Sequence, residues 1–301
     1  SKEYIDVCIN LKKDEFNFEE IEFDLIWAHH FFLLDWLIFD KKVKVKKVIY
    51  SSLSGKEYFE AAPIYGNSLN LILANSPETQ AYLQEEGLKS VQLLENYSFE
   101  EYFNRDIEIN KLRKIAVVSN HVPEEVKIAL NLLKEKGYEV EIYGEEGKQE
   151  LITDKVLENY DVIITIGKTV QYCMSLKIPV YVYDRFGGAG YLKMDNMEQN
   201  RKHNFSGRSY EKKSEEELVN DIINDFPNAI KDLEQIKQYA YKNFCFEKNV
   251  DKLIEQIEKM EPVDLRQIRE ENKQYSRNLL ASKNLVIYME AIKEKEKDQV
   301  A

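Results

Sequence analysis

The chain has 301 residues, of which 44% are hydrophobic and 32% are charged. This length predicts two compact domains of about 150 residues each, and the composition excludes a disordered or fibrous protein. The 54 acidic residues outnumber the 42 basic ones. The resulting formal charge of -12 excludes general nucleic-acid binding, although it leaves room for a local basic cleft.

No apolar run approaches the roughly 20 residues that cross a bilayer. The longest candidate, residues 25–39, is interrupted by His29, His30 and Asp35. Residues 1–10 also lack a basic stretch followed by an apolar one, which a secretory signal requires. We therefore expect no membrane span and a cytoplasmic protein, either free or at the inner face of the cell membrane.

The three cysteines, Cys8, Cys173 and Cys245, are odd in number and show no C-x-x-C spacing. Their apolar and aromatic surroundings favour buried free thiols over disulfides. The sequence also lacks the H-E-x-x-H, EF-hand and Asp-x-Asp patterns that hold metal ions. We expect no metal and no cofactor.

In chain order, short apolar runs predict strands at residues 4–9, 23–27, 47–50, 69–74 and 91–94, with helices between most of them. Residues 97–113 have no clear period, which predicts a domain boundary near residue 110. Strands are then predicted at residues 115–119, 139–143, 162–166 and 180–183, and helices at residues 123–136, 150–158 and 168–176. This alternation is typical of an α/β fold with a parallel sheet that is covered on both faces.

Ligands in such sheets bind beyond the carboxyl ends of the strands. Ser119, Asn120 and His121 follow one predicted strand and precede a helix whose first turn contains Pro123. The free amides of that turn are suited to an anion, although Ser119 or Asn120 acting as a simple helix cap explains the same residues.

Gly167-Lys168-Thr169 follows another strand and is similar to the end of a phosphate-binding P-loop. A P-loop needs a glycine five residues earlier, but Val162 occupies that position inside the strand. An ATPase is therefore disfavoured. A cation in the first turn of a helix is unfavourable unless an anion joins it, so Lys168 is either a ligand contact or a solvated lysine.

The segment from Asp184 to Tyr191, with the sequence DRFGGAGY, has three glycines within four residues next to Arg185. Glycine permits close backbone approach, and arginine is a permanent bidentate donor to phosphate. We predict an anion-binding loop here, paired with a second one at residues 204–208, which read NFSGR.

These segments, GKTVQ at 167–171, residues 179–191 and NFSGR, resemble the donor-binding half of bacterial GT-B glycosyltransferases of the surface-polysaccharide type. Residues 118–121 and 70–79 also resemble that group, and the similarity covers residues 23–260. It implies a GT-B-like α/β fold with two Rossmann-like domains whose parallel sheets face a cleft. The implied division is 1–110 for the acceptor side, 111–262 for the donor side and 263–301 for a helical extension.

The resemblance also implies the contacts of a nucleotide-sugar donor, which would be bound without an essential metal. The donor-binding candidates are Asn120, His121, Lys168, Thr169, Arg185, Phe186, Gly187, Gly188, Gly190, Tyr191, Glu198 for the ribose, Asn204, Ser206, Gly207 and Arg208. The acceptor-side candidates are Ser51, Ser54 and Asn75, and the candidate general base is His29 or His30. The alternative for the histidines is packing against Trp27 and capping of the next helix.

Two departures from the family pattern bear on the reaction. Asn120-His121 stands where many retaining members have an Arg and a Lys, and no pair of Glu residues seven apart is evident near the sugar site, so the anomeric outcome is unassigned. The first domain is also short, because the acidic residues 14–22 stand where a glycine-rich loop is usual. Either this domain is reduced or the chain is a piece of a longer protein.

Residues 264–300 contain no Gly or Pro, which predicts a long helix or a helix pair. An imperfect apolar stripe runs along it, formed by Leu265, Ile268, Tyr275, Leu279, Val286, Met289 and Ile292. The stripe is covered either by the body of the chain or by a partner, which leaves a homodimer or linkage to another module open.

Taken with the resemblance, these features predict transfer of a sugar from a nucleotide sugar to a hydroxyl of a saccharide or glycolipid acceptor. Two alternatives stay open at this point. One is transfer of a polyol phosphate, as in wall-polymer synthesis, and the other is a noncatalytic donor-binding or scaffold module.

Overall fold

The computed structural model describes Phe18, residues 21–55, Glu57, and residues 60–105 and 107–282. The strand predicted at residues 4–9, Cys8, and residues 283–301 of the predicted terminal helix lie outside the described residues. Contacts divide the chain into two compact units. The first takes its described residues from Ser1–Ile72, Leu88–Ser90 and Met260–Ala301, and the second consists of Leu73–Gly87 and Val91–Lys259. The predicted domain boundaries near 110 and 262 stay predictions.

The strands and helices alternate along most of the chain. The strands are β1 Glu22–Ala28, β2 Lys44–Ser52, β3 Leu71–Ala74, β4 Val91–Leu93, β5 Lys114–Val118, β6 Glu139–Tyr143, β7 Val162–Thr165, β8 Val180–Asp184 and β9 Gly187–Tyr191. The helices are α1 Phe31–Asp35, α2 Pro77–Glu85, α3 Glu100–Phe103, α4 Glu124–Glu135, α5 Asp154–Leu157, α6 Lys168–Leu176, α7 Met197–Lys202, α8 Glu215–Asn224, α9 Phe226–Ala229, α10 Leu233–Phe244, α11 Phe246–Glu258 and α12 Leu265–Glu271.

The first sheet has four strands in the order β1-β2-β3-β4. β1 and β2 pair in parallel, from Glu22 opposite Lys44 to Ala28 opposite Tyr50. A parallel pair needs a crossover, which α1 and the π-helical turn Trp36–Asp40 provide. The strands predicted at residues 23–27, 47–50, 69–74 and 91–94 are confirmed.

The core of the first unit contains an acidic group. Asp35 is 3% exposed and accepts hydrogen bonds from the hydroxyls of Tyr65 and Tyr275, each at 2.7 Å. Burial raises the pKa of Asp35, and the two hydrogen bonds only partly oppose that effect. The carboxyl group therefore ties Tyr275, near the end of the described chain, into the core.

The predicted terminal helix is a helix pair in the described residues, because α12 ends before Asn272 and residues 273–282 are again helical. Leu265 and Ile268 are buried in the core of the first unit, and Tyr275 and Leu279 pack against it. This part of the apolar stripe is thus covered within the chain. Val286, Met289 and Ile292 lie outside the described residues, and a homodimer stays a prediction.

The second unit is built on a five-stranded sheet in the order β6-β5-β7-β8-β9. The pairs β5–β6, β5–β7 and β7–β8 are parallel, and β9 is antiparallel to β8. The predicted parallel arrangement of β5 to β8 is confirmed, so the chain has the predicted α/β class. After β5 the chain forms β6 on one side of that strand and then crosses over to form β7 on its other side.

Side chains of this sheet alternate between two apolar layers, as the pleat requires. Ile115 and Val117 of β5 pack in one cluster with residues of α4 and α8, whereas Ala116 packs in the other with residues of α6 and α10. The continuous apolar sequence of these strands follows from burial on both faces. Cys173 and Cys245 are free and buried, as predicted.

The glycine-rich segment is a strand, so the prediction of a loop there is wrong. Gly187–Tyr191 forms β9, which pairs with β8 through Asp184 opposite Gly187 and Tyr181 opposite Tyr191. A Cβ on Gly188 would lie 2.0 Å from the carbonyl oxygen of Val182. Gly187 and Gly188 are required because backbone atoms occupy the space that their side chains would fill.

None of the helices in the described part of the chain combines the length and the apolar character needed to cross a bilayer.

The close packing of β9 predicts a specific stability difference. Gly188→Ala should lower the free energy of unfolding by about 2–3 kcal/mol, because the added methyl group collides with backbone that cannot move aside. Gly137→Ala is the control. Gly137 has a φ of +92°, and none of the described atoms outside its own turn lies within 4 Å of its missing Cβ.

The control should cost only about 1 kcal/mol, the penalty for a side chain at positive φ. Denaturant unfolding of the two variants gives the comparison. Equal losses would show that the Gly188 contact relaxes without cost.

Candidate functional site

The candidate site lies at the carboxyl edge of the five-stranded sheet. β5 has later strands on both sides, so the connections after β5 and β7 diverge at that edge. Open α/β sheets bind ligands at such a point, because the diverging loops leave a crevice between them. Residues 119–122 follow β5 and residues 166–167 follow β7, which brings two of the predicted segments to the same crevice.

A cavity of about 480 Å³ occupies this edge. It is lined by Val118, Ser119, Asn120, Tyr143, Gly144, Glu145, Gln149, Glu150, Ile152, Thr165, Ile166 and Thr169. The lining combines hydroxyl, amide and carboxyl groups with apolar side chains, and it contains no Lys or Arg of the described residues. Two predicted donor contacts, Asn120 and Thr169, therefore share one cavity.

The helix after β5 does not use the predicted cap. Its N-cap position is Pro123, and no side chain of the described residues caps it. The hydroxyl oxygen of Ser119 instead accepts a hydrogen bond from the backbone N–H of His121 at 3.2 Å. Helix capping by Ser119 or Asn120 is wrong, which leaves the Asn120 side chain available to the cavity. His121 is exposed beside it.

The first turn of α6 has no side-chain cap from the described residues either, because Gly167 occupies the N-cap position at a φ of +60°. Lys168 begins the helix. Its Nζ lies 4.7 Å from the ring centre of Tyr97 and 5.5 Å from that of Tyr172, and both are cation–π contacts. Two aromatic rings thus hold a cation at a helix end that already favours anions.

The NFSGR segment forms a turn that contacts the start of α6. The backbone N–H of Gly167 donates to the carbonyl oxygen of Phe205 at 3.2 Å. Asn204 and Phe205 both adopt left-handed conformations, with φ of +54° and +52°. Such conformations cost about 1 kcal/mol or more per residue and often occur at functional sites. The Asn204 side chain is fixed by the amide of Asn96, which donates to its Oδ1 at 2.9 Å.

The same region contains polar atoms that have no hydrogen-bond partner among the described residues. They include Asn200 Oδ1, Ser206 Oγ and Ser209 Oγ. Asn200 is 1% exposed and Ser206 is 8% exposed, so solvent does not readily satisfy them. Buried polar groups are normally paired, and unpaired ones that cluster in a single segment are consistent with a bound polar ligand.

Arg208, at the end of this turn, pairs with Glu78 in the first turn of α2. Nδ1 of His203 lies 3.3 Å from the same carboxyl oxygen of Glu78. Burial alone would raise the pKa of Glu78, but the contacts with Arg208 and His203 outweigh it and lower the pKa. A lowered pKa stabilises the fold above the normal pKa of glutamate, and this contribution is lost as the pH falls through the folded-state value.

A second ion pair fixes α7, the helix that precedes the turn. Nε of Arg201 donates to Glu95 Oε1 at 2.9 Å, and Nη2 donates to Oε2 at 2.6 Å. The side chains are only 20% and 7% exposed. Burial is the main influence on Glu95 and raises its pKa, whereas the hydrogen bonds to Glu95 are the main influence on the pKa of Arg201 and raise it, so the guanidinium group stays protonated.

The two glycine-containing segments meet at the carboxyl edge of the sheet. A Cβ on Gly207 would lie 2.2 Å from the carbonyl oxygen of Gly187 and 3.4 Å from the Cα of Gly188. Arg185 and Phe186 form the exposed turn before β9, with the guanidinium group 4.8 Å from the ring centre of Phe186. The DRFGGAGY and NFSGR segments are therefore in direct contact through Gly187, Gly188 and Gly207.

Gly190 and Tyr191 are carried away from this edge by the antiparallel register. Tyr191 pairs with Tyr181 near the start of β8, and its buried hydroxyl donates to the carbonyl oxygen of Ile222 at 2.8 Å. Both residues instead line a separate cavity of about 370 Å³. The register thus corrects the expectation that all three glycines and Tyr191 lie on one loop.

Glu198 accepts a hydrogen bond from the hydroxyl of Tyr239 at 2.5 Å and lies 3.8 Å from Nη1 of Arg201. Its side chain is 72% exposed. A ribose contact for Glu198 stays a prediction.

The predicted acceptor-side residues of the first unit are engaged in local packing. The ring of His29 stacks on Trp27, while His30 occupies the N-cap position of α1 without a side-chain capping bond to the described residues. Desolvation lowers the pKa of His29, and His30 lowers it further. Ser51 Oγ accepts a 2.7 Å bond from Nε1 of Trp27. A general-base role for either histidine and an acceptor contact for Ser51 stay predictions.

The hydroxyl oxygen of Ser54 accepts a bond from the backbone N–H of Glu57 at 3.2 Å. In the second unit, Asn75 Oδ1 accepts a bond from the hydroxyl of Thr79 at 3.0 Å. Acceptor contacts for Ser54 and Asn75 also stay predictions.

Sequence reasoning missed several residues that shape the site. Tyr97 and Tyr172 hold Lys168, and Glu78 and His203 lie at the Arg208 end of the turn. The distance along the chain from Glu78 to Arg208 leaves no local pattern. Two signals pointed to Glu78, its place in the segment 70–79 of the family resemblance and in a turn opened by Ser76 and Pro77, but neither indicates Arg208 as its partner.

No protein-family model and no curated protein sequence matches the chain. Among solved structures, one match is a crystal structure of a mutant of S. aureus TarM in complex with Fondaparinux, alpha-GlcNAc-glycerol and UDP. It has 12% sequence identity and a TM-score of 0.43, and it covers 71% of this chain and 51% of that chain. The chain thus spans about half the length of that protein, and a likeness this weak supports no argument about function.

The Arg201–Glu95 pair predicts a measurable stability difference. Glu95→Ala should lower the free energy of unfolding by about 3 kcal/mol, because it leaves the guanidinium group of Arg201 largely buried without its closest charged partner. Asp24→Ala is the control, since it removes the exposed partner of Lys46 and should leave stability unchanged. Urea unfolding measures both variants, and similar effects would contradict the role given to the buried pair.

Proposed function

We propose that the second unit binds a nucleotide-sugar donor and that the chain is a GT-B-type glycosyltransferase, which moves the sugar to a hydroxyl of a saccharide or glycolipid acceptor. The observation that carries this proposal is the junction between α6 and the NFSGR turn. An uncapped helix start, the cation of Lys168, the cation of Arg208 and the unpaired hydroxyl of Ser206 belong to two described segments joined by the Gly167–Phe205 hydrogen bond. This combination suits a diphosphate.

The cavity of about 480 Å³ suits a different part of the same ligand. Glu145 and Glu150 in its lining repel phosphate, while its amide, hydroxyl and apolar groups suit an uncharged moiety such as a nucleoside or a sugar. Thr169 lines the cavity and directly follows Lys168 at the start of α6. We infer that an uncharged moiety lies in the cavity and the diphosphate at the helix start.

The chemistry follows from this division. Glycosyl transfer breaks the bond between the anomeric carbon and the oxygen of the leaving phosphate, and it forms a bond from that carbon to the acceptor oxygen. The acceptor hydroxyl loses a proton to a base, and negative charge develops on the departing diphosphate. The amides of the first turn of α6, Lys168 and Arg208 would stabilise that charge, which accounts for the expectation that no metal is essential.

The surface-polysaccharide or glycoconjugate setting is a finer part of the proposal. It is supported by the sequence resemblance of residues 167–171, 179–191 and 204–208 to that class of GT-B enzyme.

The first test concerns the diphosphate. Arg208→Ala and Lys168→Ala should each weaken binding of a nucleoside diphosphate by about 10-fold, the effect of losing one charge-assisted hydrogen bond. Lys134→Ala, in the last turn of α4, is the control and should bind as the unchanged protein does. Isothermal titration with ADP, CDP, GDP, TDP and UDP gives the affinities, and unaltered affinity in both site variants would reject the proposal.

Ser206→Ala separates a ligand contact from a structural role. The hydroxyl oxygen makes no hydrogen bond among the described residues, so its removal should leave the free energy of unfolding unchanged or slightly higher. Binding of the nucleoside diphosphate should nevertheless weaken by about 5-fold if the hydroxyl pairs with phosphate. A variant that loses stability but keeps full affinity would contradict this assignment.

The uncharged cavity has its own test. Asn120→Ala should weaken binding of the free nucleoside and of the complete nucleotide by about 5-fold and leave inorganic pyrophosphate unaffected. Arg208→Ala should instead weaken binding of inorganic pyrophosphate and leave binding of the free nucleoside unaffected.

Turnover is then measured as release of free nucleoside diphosphate from a nucleotide sugar in the presence of saccharide acceptors.

A further inference from the structure

Glu78 is an acidic residue placed where the proposed ligand is also acidic. It lies in the first turn of α2, where the hydroxyl of Ser76 caps the helix by accepting from the backbone N–H of Thr79 at 3.1 Å. Its carboxylate accepts a hydrogen bond from Nη2 of Arg208. An isolated carboxylate at this position would repel a diphosphate, so Glu78 would favour donor binding only by acting on Arg208.

The reason lies in the exposure of Arg208. Its side chain is 42% exposed, and Glu78 is its charged partner among the described residues. A long, half-exposed arginine has many rotamers, and ordering it opposes the binding of any ligand. The pair with Glu78 fixes one end of the guanidinium group before a ligand arrives, and the remaining N–H donors can still reach a phosphate.

The carboxylate is itself held in place. The helix start fixes its backbone. Nδ1 of His203 lies 3.3 Å from the oxygen that pairs with Arg208, which is within ion-pair distance but does not meet hydrogen-bond geometry. The contacts with Arg208 and His203 keep the pKa of Glu78 below its ordinary value in spite of burial. Glu78 is therefore ionised at neutral pH and engages Arg208 as a full charge.

We propose that Glu78 is a positioning residue, which orders Arg208 for the diphosphate of the donor without touching the donor itself. This inference rests on the proposed function, because it assumes that Arg208 contacts the diphosphate. If Glu78 only joined α2 to the NFSGR turn, it would affect stability and not the affinity that depends on Arg208.

A double-mutant cycle tests the proposal. Glu78→Ala should weaken binding of the tightest nucleoside diphosphate of the panel by about 5-fold in the unchanged protein, and by less than about 2-fold when Arg208→Ala is already present. Glu78→Gln keeps a hydrogen-bond acceptor for Arg208 and should restore most of the affinity. Glu85→Ala, at the exposed end of the same helix, is the matched control.

Three results would overturn the proposal. Equal losses in both backgrounds would show a structural role, and tighter binding by Glu78→Ala would show that the carboxylate merely repels the ligand. If Glu78→Ala fails to fold, Glu78→Met, which removes the acceptor for Arg208 and keeps the length of the side chain, completes the cycle, and equal losses in both backgrounds would again overturn the proposal. Absence of binding by the unchanged protein would reject the proposed function itself, and that result is seen before any variant is compared.

Discussion

The parallel pairing of β5 on both sides is the constraint on which the second unit depends. Ile115 lies opposite Val140 of β6 and opposite Val162 of β7, so the first strand of this sheet becomes an interior strand. The connection after β5 therefore runs to one side of the sheet and the connection after β7 to the other, which separates these two loops at the carboxyl edge. The cavity of about 480 Å³ and the uncapped start of α6 both lie at that separation. The connecting helices are also core elements, because they pack in the apolar layers on the two faces of the sheet.

Close backbone contacts then give the edge its chemistry. Gly207 lies so near Gly187 that the turn does not tolerate a side chain at that point, and Phe205 accepts the backbone hydrogen bond from Gly167. These contacts place a strained turn against a helix start. In a chain with a formal charge of -12, this edge contains two cations, Lys168 and Arg208, of which Arg208 is paired with Glu78. The aromatic rings around Lys168 and the carboxylate beside Arg208 hold the two cations in different ways, one by a π face and the other by a charge.

Much of the fold was predictable because burial on two faces leaves a clear sequence pattern. The helix predicted at residues 168–176 has those bounds, and the strand predicted at residues 139–143 does as well. β9 was missed because glycines carry no side chains to show a period, and their spacing is shared by loops and closely packed strands. The expectation that Ser119 caps α4 was wrong because its hydroxyl oxygen accepts a hydrogen bond from the nearer backbone N–H of His121. Glu78 and Tyr97 are joined to the site only by tertiary packing, which no local pattern records.

The most direct measurement of the central claim is a crystal structure with the nucleoside diphosphate that binds most tightly. We predict phosphate oxygens within hydrogen-bond distance of the first amides of α6 and of the Arg208 guanidinium group, with the nucleoside or the vacated sugar position at the cavity lined by Asn120 and Thr169. A diphosphate bound instead at the cavity beside Tyr191 and Lys193, with no contact to α6, would contradict this prediction.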